Sequence, residues 1–167
     1  MSKQFSCLVS TILPRNDVWE LFSDIENWPK VSDVYADLQW SGPPWTPGSR
    51  VLGWIQYPHP LTFRYVLERC ESASRVSYLD NSGAAGFATH RDIRFEERQG
   101  RTWIQVDVYA VGEPCFAIAG GSLGFLRMLI ERWFQDFARF CDGQADADDC
   151  SRAHTLGMAS SCSAASN

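Results

Sequence analysis

The spacing of apolar residues changes near Val34. Upstream, Val18, Leu21, Phe22 and Ile25 recur at i, i+3, i+4 and i+7, one apolar stripe on a helix. Downstream, the segments VYADLQW, SRVLGWIQY, LTFRYVLERC, SRVSYLD, GFATHRDIRFEE and RTWIQVDVYAV alternate or are rich in β-branched and aromatic residues, the pattern of strands. Turn signals separate them: Gly42-Pro43-Pro44 to Pro47-Gly48, Pro58 to Pro60, Ser72 to Ser74, Asn81 to Gly86, and Gln99-Gly100. Six strands with such short links make an antiparallel meander. A further strand is expected at the start, over residues 4–12.

Pro14 ends that first strand, and Asn16 and Asp17 place polar and acidic groups in a first helical turn, where the helix dipole favours them. Pro29 lacks an amide donor and disfavours helix at Trp28, which predicts a break there and a short second turn over 30–33. After the meander, Gly120-Gly121-Ser122 opens a long helix with Ser122 as its expected N-cap. Leu123, Leu126, Ile130, Trp133, Phe134, Phe137 and Cys141 share one face of it, and that stripe has only the sheet to bury against. Periodicity ends near Gly143, so the chain divides into a domain over 1–142 and an acidic, Ser/Ala-rich tail over 143–167, expected to be disordered.

Composition changes this picture in three ways. Seven Trp, ten Phe and five Tyr in 167 residues imply either a thick core or a cavity lined with rings. Of the net charge of −5, most lies after Cys141, where Asp142, Asp146, Asp148 and Asp149 face only Arg152. The body is therefore close to neutral and lacks the basic footprint of a nucleic-acid binder. The six cysteines are far apart without metal-ligand spacing, no stretch is long and apolar enough to span a bilayer, and the first residues hold no signal-peptide run. Reduced thiols in a cytoplasmic protein, with no metal and no cofactor, are the expectation. No GxGxxG or P-loop suggests a nucleotide.

The order strand, two short helices, six strands, long helix resembles the START-like, Bet v 1-like superfamily (SRPBCC), in its polyketide cyclase/dehydratase branch. The resemblance is carried by Pro14 with Val18-Trp19, LFSDIENWPKV, the Pro-Gly before the third strand, LERCESASRVSY, IRFEERQGRTWIQV and the aromatic C-terminal helix. It spans residues 4–141. Relatives commonly have Gly-Thr-Arg before the last strand, where this chain has Gly100-Arg101-Thr102. The resemblance implies an α+β helix-grip fold: a curved antiparallel sheet of about seven strands around the C-terminal helix, with a ligand cavity between them.

Alternation sorts the strands by face. The more apolar face carries Phe63, Tyr65 and Leu67; Val76, Tyr78 and Asp80; Phe87, Thr89, Arg91, Ile93 and Phe95; then Ile104, Val106 and Val108. A greasy cavity with few oriented polar groups is what a small-ligand site looks like. Arg91, Tyr65, Tyr78 and Asp80 are the candidate catalytic residues. An interior guanidinium needs a partner and can stabilise a developing oxyanion. Trp28, Trp54, Phe63, Phe87, Thr89, Val106, Leu126, Ile130 and Phe134 are the candidate substrate contacts. His90 and Asp92 fall on the opposite face, which is more often solvated, and His59 sits in a Pro-flanked turn.

Two functions suit such a chain. One is a cofactor-independent cyclase that folds a polyketide or terpenoid intermediate and promotes aldol, dehydrative or pericyclic closure. The other is a carrier or sensor of a lipid, quinone or similar hydrophobic molecule. Either works as a monomer or homodimer, and the costly interior polar groups lean towards the enzyme.

Overall fold

The computed structural model describes residues 2–57, 59–81, 88–111 and 116–160, the last with side chains at 123–145 and 147. Strand β1 (Ser2–Thr11) is followed by helix α1 (Arg15–Ser23), a 3-10 turn (Ile25–Asn27) and the one-turn helix α2 (Trp28–Val31). Strands β2 (Tyr35–Ser41), β3 (Arg50–Ile55), β4 (Leu61–Glu71), β5 (Arg75–Asp80), β6 (Ala88–Arg98) and β7 (Arg101–Val111) precede helix α3 (Phe116–Ser160). The seven strands form one antiparallel sheet in the order β1-β7-β6-β5-β4-β3-β2. This is the expected α+β arrangement, a curved sheet with a long helix against its concave face.

Three irregularities, between Lys3 and Phe5, Tyr35 and Asp37, and Leu67 and Arg69, bend the strands that carry them. The β6–β7 hairpin closes on two residues, Gln99 and Gly100, both at positive φ, the turn whose twist matches that of its strands. Gly53 faces inward where Cβ would come within 2.6 Å of both the Asp37 carbonyl oxygen and the Phe63 ring. The missing side chain is what lets Phe63 lie flat across β3.

The helical stripe seats as its spacing predicts. Val18, Phe22 and Ile25 are buried, and Leu126, Leu129, Ile130, Trp133, Phe134, Phe137 and Cys141 meet them from α3. Inward residues of β4 to β7, from Phe63 through Val108, complete a continuous core. Polar ties pin α3 at two levels. Thr11 Oγ1 donates to Asp142 at 2.6 Å, and Ser32 Oγ donates to Asp136 at 2.7 Å. Arg132 reaches Asp33 at 2.8 Å and lies 4.1 Å from the Tyr57 ring centre.

Three local expectations need correction. The helix breaks at Asp24 (φ −85°, ψ 79°), whereas Trp28 before the proline is helical (φ −55°, ψ −37°). Pro29 lies in the first turn of α2, where its lost donor is not needed. Helix α3 starts at Phe116, ahead of Gly120-Gly121, so Ser122 is not its N-cap. It continues through Ser160, because Gly143 and Gly157 each cost only about 1 kcal/mol relative to alanine and no proline follows. The rest of the tail, 161–167, lies outside the described residues.

Candidate functional site

Two indoles terminate α1. A helix leaves its last carbonyls without partners, and here no glycine cap follows. Trp28 Nε1 donates to the Phe22 carbonyl at 2.8 Å, and Trp45 Nε1 donates to the Ser23 carbonyl at 2.9 Å. Trp28 is thereby fixed, its ring 4.6 Å from that of Trp133 and 5.5 Å from that of Tyr35. It forms part of the wall of a small interior cavity of about 20 Å³, room for about one water molecule.

The sheet contributes Tyr35, Tyr65, Tyr78, Arg91 and Ile93 to that wall; α3 contributes Ile130, Trp133 and Phe134. Arg91 stands at its polar side, 6% exposed. Its Nη1 donates to the Tyr65 hydroxyl at 2.8 Å and its Nη2 to Asp80 Oδ2 at 3.2 Å, while Cζ lies 4.4 Å from the Tyr65 ring centre. Register explains the meeting: Asp80 is the cross-strand partner of Tyr65 on β4, and Arg91 that of Tyr78 on β5. The guanidinium's partner is thus Asp80, so the pair enters the interior without net charge.

Electrostatics turns the tyrosines into donors. Burial pushes the Tyr65 and Tyr78 hydroxyls well above their usual pKa, and Arg91 only partly offsets it. Tyr35, whose hydroxyl interacts with Tyr65 and Arg91, is raised by burial as well. Burial alone would lower Arg91, but Tyr65 and Asp80 outweigh it and its pKa rises, keeping the charge fixed. At neutral pH the site therefore offers phenol O–H groups and a guanidinium. Among the described residues no cluster of His, Cys, Asp and Glu suited to a metal is present.

Every described residue assigned to the concave face by alternation is buried, from Phe63 to Val108. Arg91, Tyr65, Tyr78 and Asp80 are brought together, and Trp28, Ile130 and Phe134 line the cavity. Phe63 backs the tyrosines, its ring 4.3 Å from Tyr65 and 5.4 Å from Tyr35. Thr89 is fully buried across from Asp80, while Val106 and Leu126 are core residues away from the cavity wall. Phe87 lies outside the described residues.

Trp54 is misplaced by the sequence reading. It is 53% exposed on the convex face, because Val51, Gly53 and Ile55 are the inward residues of β3. Tyr35 and Trp133 also line the cavity, and neither is among the candidate contacts that the sequence suggests. The bulge at Tyr35/Asp37 puts the two inward residues of β2, Tyr35 and Leu38, three apart, which hides Tyr35 from a period of two. Trp133 was visible in the helical stripe and reads there as core.

The convex face has its own polar order. His90 meets Glu68 at 2.9 Å, and Asp92 receives Arg75 Nε at 2.7 Å. Asp107 accepts from Ser6 at 2.6 Å, pairs with Lys3 at 2.6 Å and bonds Arg94. Two wider depressions open on that face, about 390 Å³ around Leu8 and Trp103 and about 400 Å³ around Trp54 and Arg64. Neither contains the buried polar group of the interior site. Cys7, Cys70 and Cys141 are free thiols, and no described helix is long and apolar enough to cross a membrane.

Comparison with solved structures places this architecture. StfQ, the di-domain ARO/CYC from the steffimycin biosynthetic pathway, matches with a TM-score of 0.67 over 87% of this chain at 16% identity. The fold is the START/Bet v 1-like helix-grip fold. This chain spans about half of StfQ, 47% of its length. The Zhui aromatase/cyclase from Streptomyces sp. R1128 matches with a TM-score of 0.63 at 12% identity, over 85% of this chain and 92% of that one. Ara h 8.0201 matches with a TM-score of 0.65 at 11% identity, over 82% and 95%. At such identities the likeness is one of helix-grip fold. No protein-family model and no curated protein matches the chain.

Proposed function

We propose that this helix-grip chain is a cofactor-independent cyclase for a hydrophobic biosynthetic intermediate, a polyketide or terpenoid, held between the sheet and α3. The carrying observation is the Tyr65–Arg91–Asp80 group, buried beneath a wall of aromatic rings. Donors fixed in a low-dielectric interior favour charge developing on a ligand carbonyl oxygen. In the aldol form, a carbon next to a carbonyl gives a proton to Asp80 and bonds to a second carbonyl carbon. The oxygen of that second carbonyl takes the proton back as a new hydroxyl, and dehydration then releases one water. The rings shape the flexible chain into the conformer that closes. A fold shared with proteins named as aromatase/cyclases supports the reading.

The cavity of about 20 Å³ is far below the roughly 300–1,000 Å³ of ligand pockets. A ligand of that size enters only if one wall of the cavity moves. One observation favours the carrier or sensor instead: the Asp80 carboxylate is already paired with Arg91 Nη2.

The two are separated by incubating the protein with a linear poly-β-ketone thioester, following ring formation by absorbance and mass spectrometry, and measuring affinity independently. The cyclase accelerates closure over buffer, and Tyr65→Phe loses at least tenfold in rate with affinity nearly kept. Tight binding without acceleration identifies a carrier. Neither binding nor acceleration removes the interior as a ligand site.

A further inference from the structure

The interior holds donors that the protein itself does not use. Trp28 and Trp45 each give their indole N–H to a backbone carbonyl, yet Trp133 Nε1 is buried with no partner among the described residues. The Tyr65 hydroxyl receives Arg91, yet the Tyr78 hydroxyl is buried without a partner among the described residues. Both Nη atoms of Arg91 are engaged, and its Nε is not. All three residues line the same cavity, Tyr78 and Arg91 from the sheet and Trp133 from α3.

Leaving a buried donor unmade costs about 1–3 kcal/mol, and such groups are rare. Packing does not require them: phenylalanine at 78 and 133 would supply rings without polar atoms. Indole and guanidinium N–H groups donate only, and a phenol whose pKa is raised keeps its proton. Among the described residues these atoms find no acceptor.

Resting on the reading of the interior as a ligand site, we propose that Tyr78, Arg91 Nε and Trp133 form a donor set across both cavity walls, selecting ligands with at least two acceptor oxygens. One oxygen is held from the sheet and the other from α3. Trp133 is then a specificity-determining residue, and plain hydrocarbon ligands bind more weakly because they gain nothing from the three donors. Within the two substrate classes above, this selects oxygen-rich chains and rings over hydrocarbon terpenoids.

The test is a calorimetric series on three bicyclic compounds of one ring size: naphthalene, 1-tetralone and 4-chromanone, the last with two acceptor oxygens and no donor. Wild-type affinity should rise with oxygen count, by about tenfold or more from first to last. Trp133→Phe and Tyr78→Phe should each weaken the two-oxygen compound by about tenfold and leave naphthalene unchanged. Tyr78→Phe removes one unpaired oxygen and guards against a folding defect in the tryptophan variant. Naphthalene binding as tightly as 4-chromanone, or both variants weakening all three compounds alike, overturns the donor set while the ligand site stands. If none of the three binds wild-type protein, the ligand site falls with it.

Discussion

The two faces of β6 bury charge in opposite ways. Inside, Arg91 is held by Asp80 and Tyr65, with core on every other side. Outside, Asp92 and Asp107, cross-strand partners, are covered by Arg75, Arg94 and Lys3. The outer carboxylates are nearly inaccessible, but Lys3 and Arg75 are 46% and 39% exposed. Those arms return to water when a partner is lost. The inner pair has no such escape, so it is worth far more to keep intact than its attraction alone suggests.

The comparison breaks most sharply at Asp80. Asp80→Leu should lower stability in urea by about 3–5 kcal/mol, since it strands a buried guanidinium. Combining it with Arg91→Leu should restore most of the loss; no recovery would mean that the pair does not act as a unit.

On the convex face, Asp107→Asn should cost less, about 1–2 kcal/mol at neutral pH. Burial by itself raises the Asp107 pKa, but bonds from Lys3, Ser6 and Gln105 outweigh it and the net shift is downward. A carboxylate with a lowered folded pKa contributes fully above its unfolded value near 4. That contribution fades as pH falls through the lower folded pKa. Melting temperatures of wild type and variant should therefore converge in acid, and a constant gap across pH would contradict this account.

The smallest effect is expected at the edge of the cavity. Trp28→Phe deletes one neutral hydrogen bond to the Phe22 carbonyl and should cost about 1 kcal/mol. Tyr78→Phe deletes a hydroxyl with no partner and should leave stability unchanged or slightly higher. Equal losses in the two would show that the Tyr78 hydroxyl is satisfied after all.

Period-two alternation was enough to place Arg91, Tyr65, Tyr78 and Asp80 on one face, because each lies on a regular stretch of strand. It failed for two others. The β2 bulge concealed Tyr35, and Trp54, a candidate substrate contact, points away from the side its neighbours Val51 and Ile55 occupy. Proline at 29 marked the right neighbourhood for the helix break and the wrong residue, since a proline in a first turn starts a helix as readily as it stops one.

Element order, strand faces and the apolar stripe of α3 follow from local spacing, because secondary structure repeats with a period that sequence displays directly. Which polar atoms find partners does not. Asp80 is paired with Arg91, the indoles of Trp28 and Trp45 end α1, and Trp133 Nε1 is left over. Each of these outcomes depends on where separate elements meet, to within a hydrogen bond's length. Only the tertiary structure decides that, and with it which donors are left without a partner among the described residues.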